Sequence, residues 1–151
     1  LNYRMSDINA SIGRKQLVRV PETLDKRANN FTALRARLDA MPNLRIIESG
    51  SSDQLSSHYC LSVVLEGPLA DRRDDIIANL RDSGIGTSIY YPHPIPRLSY
   101  YAQKYGYDVS RVPCATAISD CSIALPVGPH LDENDMDRVA TEFSRALGAK
   151  Q

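Results

Sequence analysis

Gly84-Ile85-Gly86-Thr87-Ser88-Ile89-Tyr90-Tyr91-Pro92-His93-Pro94-Ile95-Pro96 is the stretch around which the chain is arranged. Its two glycines allow a tight turn, and Thr87 to Tyr91 has the β-branched and aromatic composition of a strand. Three alternating prolines then end any regular element, fixing their own φ and pushing His93 and Ile95 into extended backbone. The spacing predicts a strand within Gly86 to Tyr91 that runs into a stiff surface segment. On that segment Tyr90, Tyr91 and His93 are held in defined places with their polar ends free. The plain alternative is a strand end closed by a rigid loop, with the tyrosines half-buried as packing.

Working outward, Arg72 to Ser83 reads as an amphipathic helix on Ile76, Ile77 and Leu80 that ends at Gly84. Gly67 and Pro68 separate it from an apolar strand, His58 to Leu65, in which His58 reads as a strand-entry residue more readily than as a ligand. A polar loop, Ser49 to Ser57, and a short strand, Leu44 to Ile47, come before. Pro21 opens a long helix reaching about Met41, with Leu24, Ala28, Phe31, Leu34, Leu38 and Met41 at three- and four-residue spacing. Its other face, rich in Arg and Asp, reads as solvated. Ser6 is an N-cap for a first helix to about Val18, whose stripe of Ile8, Ile12 and Leu17 accompanies small residues at Ala10, Ser11 and Gly13. Downstream, Arg97 to Tyr105 and Pro113 to Cys121 read as short helices, Ser122 to Leu125 as a strand, and Met136, Val139, Phe143 and Leu147 as the buried stripe of a closing helix. The economical architecture is α+β, a small, mostly antiparallel sheet covered by helices.

With 151 residues the chain fits one domain with a real core. Its 18 basic and 18 acidic residues cancel without clustering, so no nucleic-acid or anionic-membrane surface is expected. No apolar run approaches the ~20 residues that span a bilayer, and no secretory signal pattern opens the chain. Cys60, Cys114 and Cys121 form no Cys-x-x-Cys pair, which reads as reduced thiols in the cytoplasm and gives no metal site. Nucleotide-binding glycine motifs, a His-x-x-x-His pair and a Gly-x-Ser-x-Gly elbow are all absent. What remains is Asn2, Tyr3 and Arg4 just ahead of a helix start, an arrangement suited to a phosphate, together with the Tyr-Tyr-Pro-His segment.

Asn2-Tyr3-Arg4-Met5-Ser6-Asp7-Ile8-Asn9-Ala10-Ser11-Ile12-Gly13 resembles a signature of the DegT-type sugar aminotransferases, pyridoxal-phosphate enzymes of the aspartate aminotransferase fold. The Gly84 to Pro94 stretch is similar to that family's Gly-Val-His-Tyr-Pro-x-Pro loop. Ile123-Ala124-Leu125-Pro126-Val127-Gly128-Pro129-His130-Leu131 is similar to its Ser-Leu-Pro-x-His-Pro segment. The three matches fall in the family's order and cover the whole chain. The resemblance implies the C-terminal part of a fold-type I enzyme: residues 1–20 as connecting motif and helix, 21–151 as the small C-terminal domain, and the large domain absent. It further implies pyridoxal 5'-phosphate as cofactor, with its Schiff-base lysine outside this chain, so that no catalytic residue is expected here and the isolated piece is expected to be inactive. Asn2 and Arg4 would reach the cofactor phosphate, or that of a nucleotide-sugar, across a homodimer. Tyr90, Tyr91, His93 and Arg97 would line the substrate side, for a keto-sugar or nucleotide-sugar acceptor and an amino donor such as glutamate. The chain departs from the family in having Tyr90-Tyr91-Pro92 where many members have His-Tyr-Pro, which is compatible with a free or differently activated keto-sugar. The alternative is a non-catalytic binding, oligomerisation or regulatory module with the same small-domain fold.

Overall fold

The structure, a computed structural model, describes residues 4–47 and 53–148; Asn2, Tyr3, Lys150 and part of the Ser49 to Ser57 loop lie outside the described residues. In chain order the elements are α1 (Asp7–Leu17), α2 (Val20–Leu38), β1 (Leu44–Ile46), β2 (Leu61–Leu65), α3 (Arg73–Asp82), α4 (Ser99–Tyr105), α5 (Pro113–Cys121), β3 (Ser122–Leu125) and α6 (Glu133–Leu147). Short 3-10 turns at Gly67–Arg72, Ile95–Arg97 and Val109–Arg111 join them. The strands form one sheet in the order β1-β2-β3, antiparallel throughout. The α+β class and the small antiparallel sheet are as expected.

Alternation along β2 divides the sheet into two faces. Leu61, Val63 and Leu65 join Ile123 and Leu125 of β3 in a buried core with Phe31, Leu34 and Leu38 of α2, Ile76 and Leu80 of α3, and Met136 and Phe143 of α6. Ser62 and Val64 pair with Ala124 and Ser122 and so share the opposite face, where α5 packs. Each fully buried aliphatic or aromatic side chain contributes about 1.5–3 kcal/mol over an exposed one. Charged groups fasten the helices at the rim: Arg37 of α2 reaches Asp137 of α6 at 2.5 Å. Arg72 and Arg138 donate to carbonyls at the ends of α6 and α3. Helix α6 begins with a reciprocal capping box between Asp132 and Asp135 and ends at left-handed Gly148.

Three expectations need correction. No strand spans Gly86 to Tyr91: that segment touches the sheet only through a Ser88–Ala124 bridge, because the prolines that follow bring no amide hydrogen to extend a ladder. Strand β2 starts at Leu61 and not at His58, whose backbone is left-handed (φ 42°) and whose ring rests on Phe31 at 4.5 Å. Helix α2 stops at Leu38 before the turn in which Asn43 takes φ 60°.

Helix α1 has the predicted N-cap, Ser6 accepting from the Asn9 amide at 3.3 Å, but none of its residues is buried. Ile8 is 74% and Ile12 56% exposed. Replacing Phe143 with Ala is expected to cost about 3–5 kcal/mol in urea unfolding. Ile12→Ser should stay within about 0.5 kcal/mol of the parent while reducing binding of a hydrophobic dye. A large loss for Ile12→Ser would show that α1 packs on the body in solution.

Candidate functional site

Gly84, with φ 77°, closes α3 and sends the chain back along the sheet, where Ser88 exchanges two backbone hydrogen bonds with Ala124. That bridge fixes where the next residues emerge. Tyr90 is half-exposed, with its ring 5.6 Å from that of Tyr59, just ahead of β2. The hydrogen bond with Tyr59, assisted by burial, pushes the Tyr90 hydroxyl up to about 12, with Ser88 acting in the opposite direction. Tyr91 is 75% exposed. It stands between two adjoining clefts, one of about 310 Å³ shared with Tyr59 and Tyr90, the other of about 390 Å³ shared with His93, Ile95 and Ile118. Both have Ile118 of α5 in the wall.

Arg97, set on the substrate side by the family resemblance, is engaged within the chain. Its Nη1 donates to Asp120 Oδ2 at 3.1 Å, its Nη2 also meets Asp120 Oδ1, and Nη2 donates to the Pro92 carbonyl at 3.3 Å. The guanidinium therefore ties both ends of the proline segment to α5. Hydrogen bonding by Arg97 holds the Asp120 carboxyl below its ordinary value of 3.8. The structure thus brings Tyr90, Tyr91 and His93 together, with Arg97 as the clamp of their loop. Arg4 precedes α1 and lines neither cleft.

Tyr59, Asp120 and Arg27 belong to this region and were not singled out from the sequence. Tyr59 was hidden inside an apolar run read as strand, and Asp120 was one carboxylate among many. Arg27, whose guanidinium lies 5.4 Å from the centre of the Tyr59 ring, sits on the face of α2 read as solvated. Among the described residues no cluster of His, Cys, Asp and Glu could hold a metal ion, and no helix is long and apolar enough to cross a membrane. Cys60, Cys114 and Cys121 are free thiols, and burial pushes that of Cys121 up.

The family model for the DegT/DnrJ/EryC1/StrS aminotransferases matches residues 1–144. The chain is 28% identical over 142 residues to a dTDP-4-dehydro-2,3,6-trideoxy-D-glucose 4-aminotransferase of Saccharopolyspora spinosa, covering 94% of this chain and 34% of that protein. It is 25% identical to a GDP-perosamine synthase of Vibrio cholerae, over 91% of this chain and 36% of the relative. A Streptococcus pneumoniae protein of the sugar-aminotransferase type, solved in its PMP form, superposes with a TM-score of 0.83 at 27% identity, over 96% of this chain and 36% of that one. The same protein is also known in its PLP form. The chain spans about a third of the length of the curated relatives it matches.

Two titrations follow. Because the folded state keeps the Tyr90 proton that the unfolded chain loses near pH 10, stability should fall as pH rises between about 10 and 12 and be unaffected below that window. Tyr59→Phe should return the Tyr90 transition toward 10.0 in an ultraviolet titration, and an unchanged transition would refute the pairing. Asp120 behaves oppositely: its contribution is present above 3.8 and lost as pH falls through its lower folded value. Both partners are partly exposed, so Asp120→Asn should cost about 1 kcal/mol or less at pH 7, and the difference should vanish in acid.

Proposed function

Because the chain belongs to the DegT/DnrJ/EryC1/StrS aminotransferase family, we propose that it is the small C-terminal domain of a pyridoxal-phosphate-dependent sugar aminotransferase. Residues 21–151 form that domain and residues 1–20 the motif and helix that connect it to the rest of the protein. The whole protein, a homodimer, moves an amino group from an amino acid such as glutamate to a keto-sugar, free or nucleotide-linked. The observation that carries this reading is the pair of adjoining clefts about Tyr91, into which a rigid proline segment sets Tyr90 and His93. Tyrosine hydroxyls and an imidazole beside apolar walls suit a sugar, whose rings offer apolar faces and whose hydroxyls need partners. The names of the Saccharopolyspora and Vibrio relatives support a sugar acceptor. The free thiols suit a reducing compartment such as the cytoplasm.

The cofactor, when bound, carries the amino group between the two substrates. Its covalent attachment does not fit the described residues of this chain. Lys26 pairs with Glu22 at 2.8 Å, Lys104 lies over the rings of Tyr100 and Tyr105, Lys15 belongs to the unburied α1, and none of the three lines either cleft. What the chain offers the cofactor is Arg4, and with it Asn2, ahead of the N-terminus of α1, where a phosphate would meet a guanidinium and the positive end of a helix. Tyr90, Tyr91 and His93 contact the sugar, and Arg97 holds their loop.

The two assignments separate in the full-length protein. Arg4→Ala should weaken binding of the cofactor or a phosphorylated substrate by roughly ten- to a hundredfold. Tyr91→Phe should slow the half-reaction with the keto-sugar and spare the half-reaction with the amino donor, as followed by stopped-flow absorbance. Equal slowing of both would assign Tyr91 to the fold or the cofactor and remove it from substrate recognition.

A further inference from the structure

The half-buried arginines divide into two kinds. Arg35 pairs with Asp39 and Arg37 with Asp137 and Glu133; Arg72 donates to the Leu147 carbonyl at 3.0 Å, Arg73 to that of Ser119 at 2.7 Å, and Arg97 to Asp120. Arg27 differs from all five. Among the described residues neither a carboxylate nor a carbonyl accepts from it, and its guanidinium lies over the Tyr59 ring; its Nε, like that of Arg97, is enclosed without a hydrogen-bond partner. The accessible donors of a half-buried cation that no protein group accepts from are left to water or to an incoming acceptor.

Arg27 also lines a cleft of about 270 Å³ together with Tyr59, Ser88, Tyr90 and His130, and no carboxylate lines it. The far wall of this cleft is built for close approach. A Cβ at Gly128 would lie 2.6 Å from His130 Cε1, so glycine is what lets the imidazole lie against the backbone there. The wall is held by the helix that carries Arg27. Asn30, three residues further along α2 and buried, donates from Nδ2 to the Gly128 carbonyl at 2.9 Å and the Leu131 carbonyl at 3.0 Å. One face of α2 thus both shapes the cleft and supplies its cation.

We propose that this cleft is an oxyanion-binding site in which the Arg27 guanidinium takes the carboxylate or phosphate oxygens of a substrate. Ser88, Tyr90 and His130 surround the same space. The planar guanidinium matches paired oxygens, and stacking on Tyr59 fixes its orientation before the ligand arrives. A carboxylate would come from the amino donor, a phosphate from a nucleotide-linked sugar. The identity of the donor or acceptor rests on the aminotransferase reading above; the existence of the site does not.

The test uses the full-length protein loaded with its cofactor, titrated calorimetrically with succinate and, separately, with inorganic pyrophosphate. Arg27→Gln should weaken binding of at least one of the two by roughly ten- to a hundredfold, with Arg27→Lys in between. Dependence for succinate assigns the site to a carboxylate, dependence for pyrophosphate to a diphosphate. Failure of the parent protein to bind either anion overturns the proposal. So does equal affinity in parent and Arg27→Gln, even with a lowered Tm, since Arg27 would then only pack on Tyr59. Should Arg27→Gln not fold, Arg27→Lys decides alone, because lysine keeps the charge and loses the paired donors; parental affinity in that variant overturns the proposal. Arg27-dependent anion binding in a protein that transfers no amino group to a keto-sugar would sink the aminotransferase reading and leave the site standing.

Discussion

The register of β2 governs everything else in this fold. Leu61, Val63 and Leu65 all face the helices α2, α3 and α6, and a slip of one residue would turn that set to the opposite side and bring Ser62 and Val64 inward. The same register decides where the functional residues lie. With Ser62 opposite Ala124, and Ala124 bridged on its other edge to Ser88, three chain segments run side by side. The rings of Tyr59, ahead of β2, and Tyr90, after Ser88, come within 5.6 Å of one another.

Beyond Ser88 the backbone has few means of its own to stay in place. Pro92, Pro94 and Pro96 have no amide hydrogen to give, so the segment cannot be held by a ladder. It is held instead by a buried Pro94, and by Arg97 reaching back to the Pro92 carbonyl while engaging Asp120 on α5. Fixed φ angles lower the entropy of the unfolded segment, and one guanidinium then suffices to set its direction. A rigid wall made this way presents Tyr91 and His93 at little further entropic cost on binding.

Helices were legible in the sequence because their periodicity extends over many residues: the α2 stripe through Phe31, Leu34 and Leu38 and the α6 stripe through Met136, Val139 and Phe143 are buried as read. The three prolines and two glycines were equally plain. What composition could not show was whether Thr87 to Tyr91 would find a partner, since β-branched and aromatic residues describe a surface that fits a sheet and not the sheet itself. His58 misled for a related reason: it adjoins an apolar run, but its backbone is left-handed and its ring rests on Phe31. Asp120 and Arg27 were illegible because their roles depend on partners 23 and 32 residues away in sequence, Arg97 and Tyr59. A charged residue on a helix reads as solvated until the surface opposite it is known.

The described residues make walls and not an enclosure. Tyr91 is largely exposed, and the clefts beside it open to solvent, where hydrogen bonds to a substrate compete with water and are worth about 1 kcal/mol. Transfer of an amino group calls for a dry site in which such contacts strengthen. On the function proposed above, closing these clefts calls for a second surface. The relatives are about three times longer than this chain, and α1 has an apolar stripe through Ile8 and Ile12 with nothing buried beneath it. A stripe of that kind stays in water at a cost that covering it would remove.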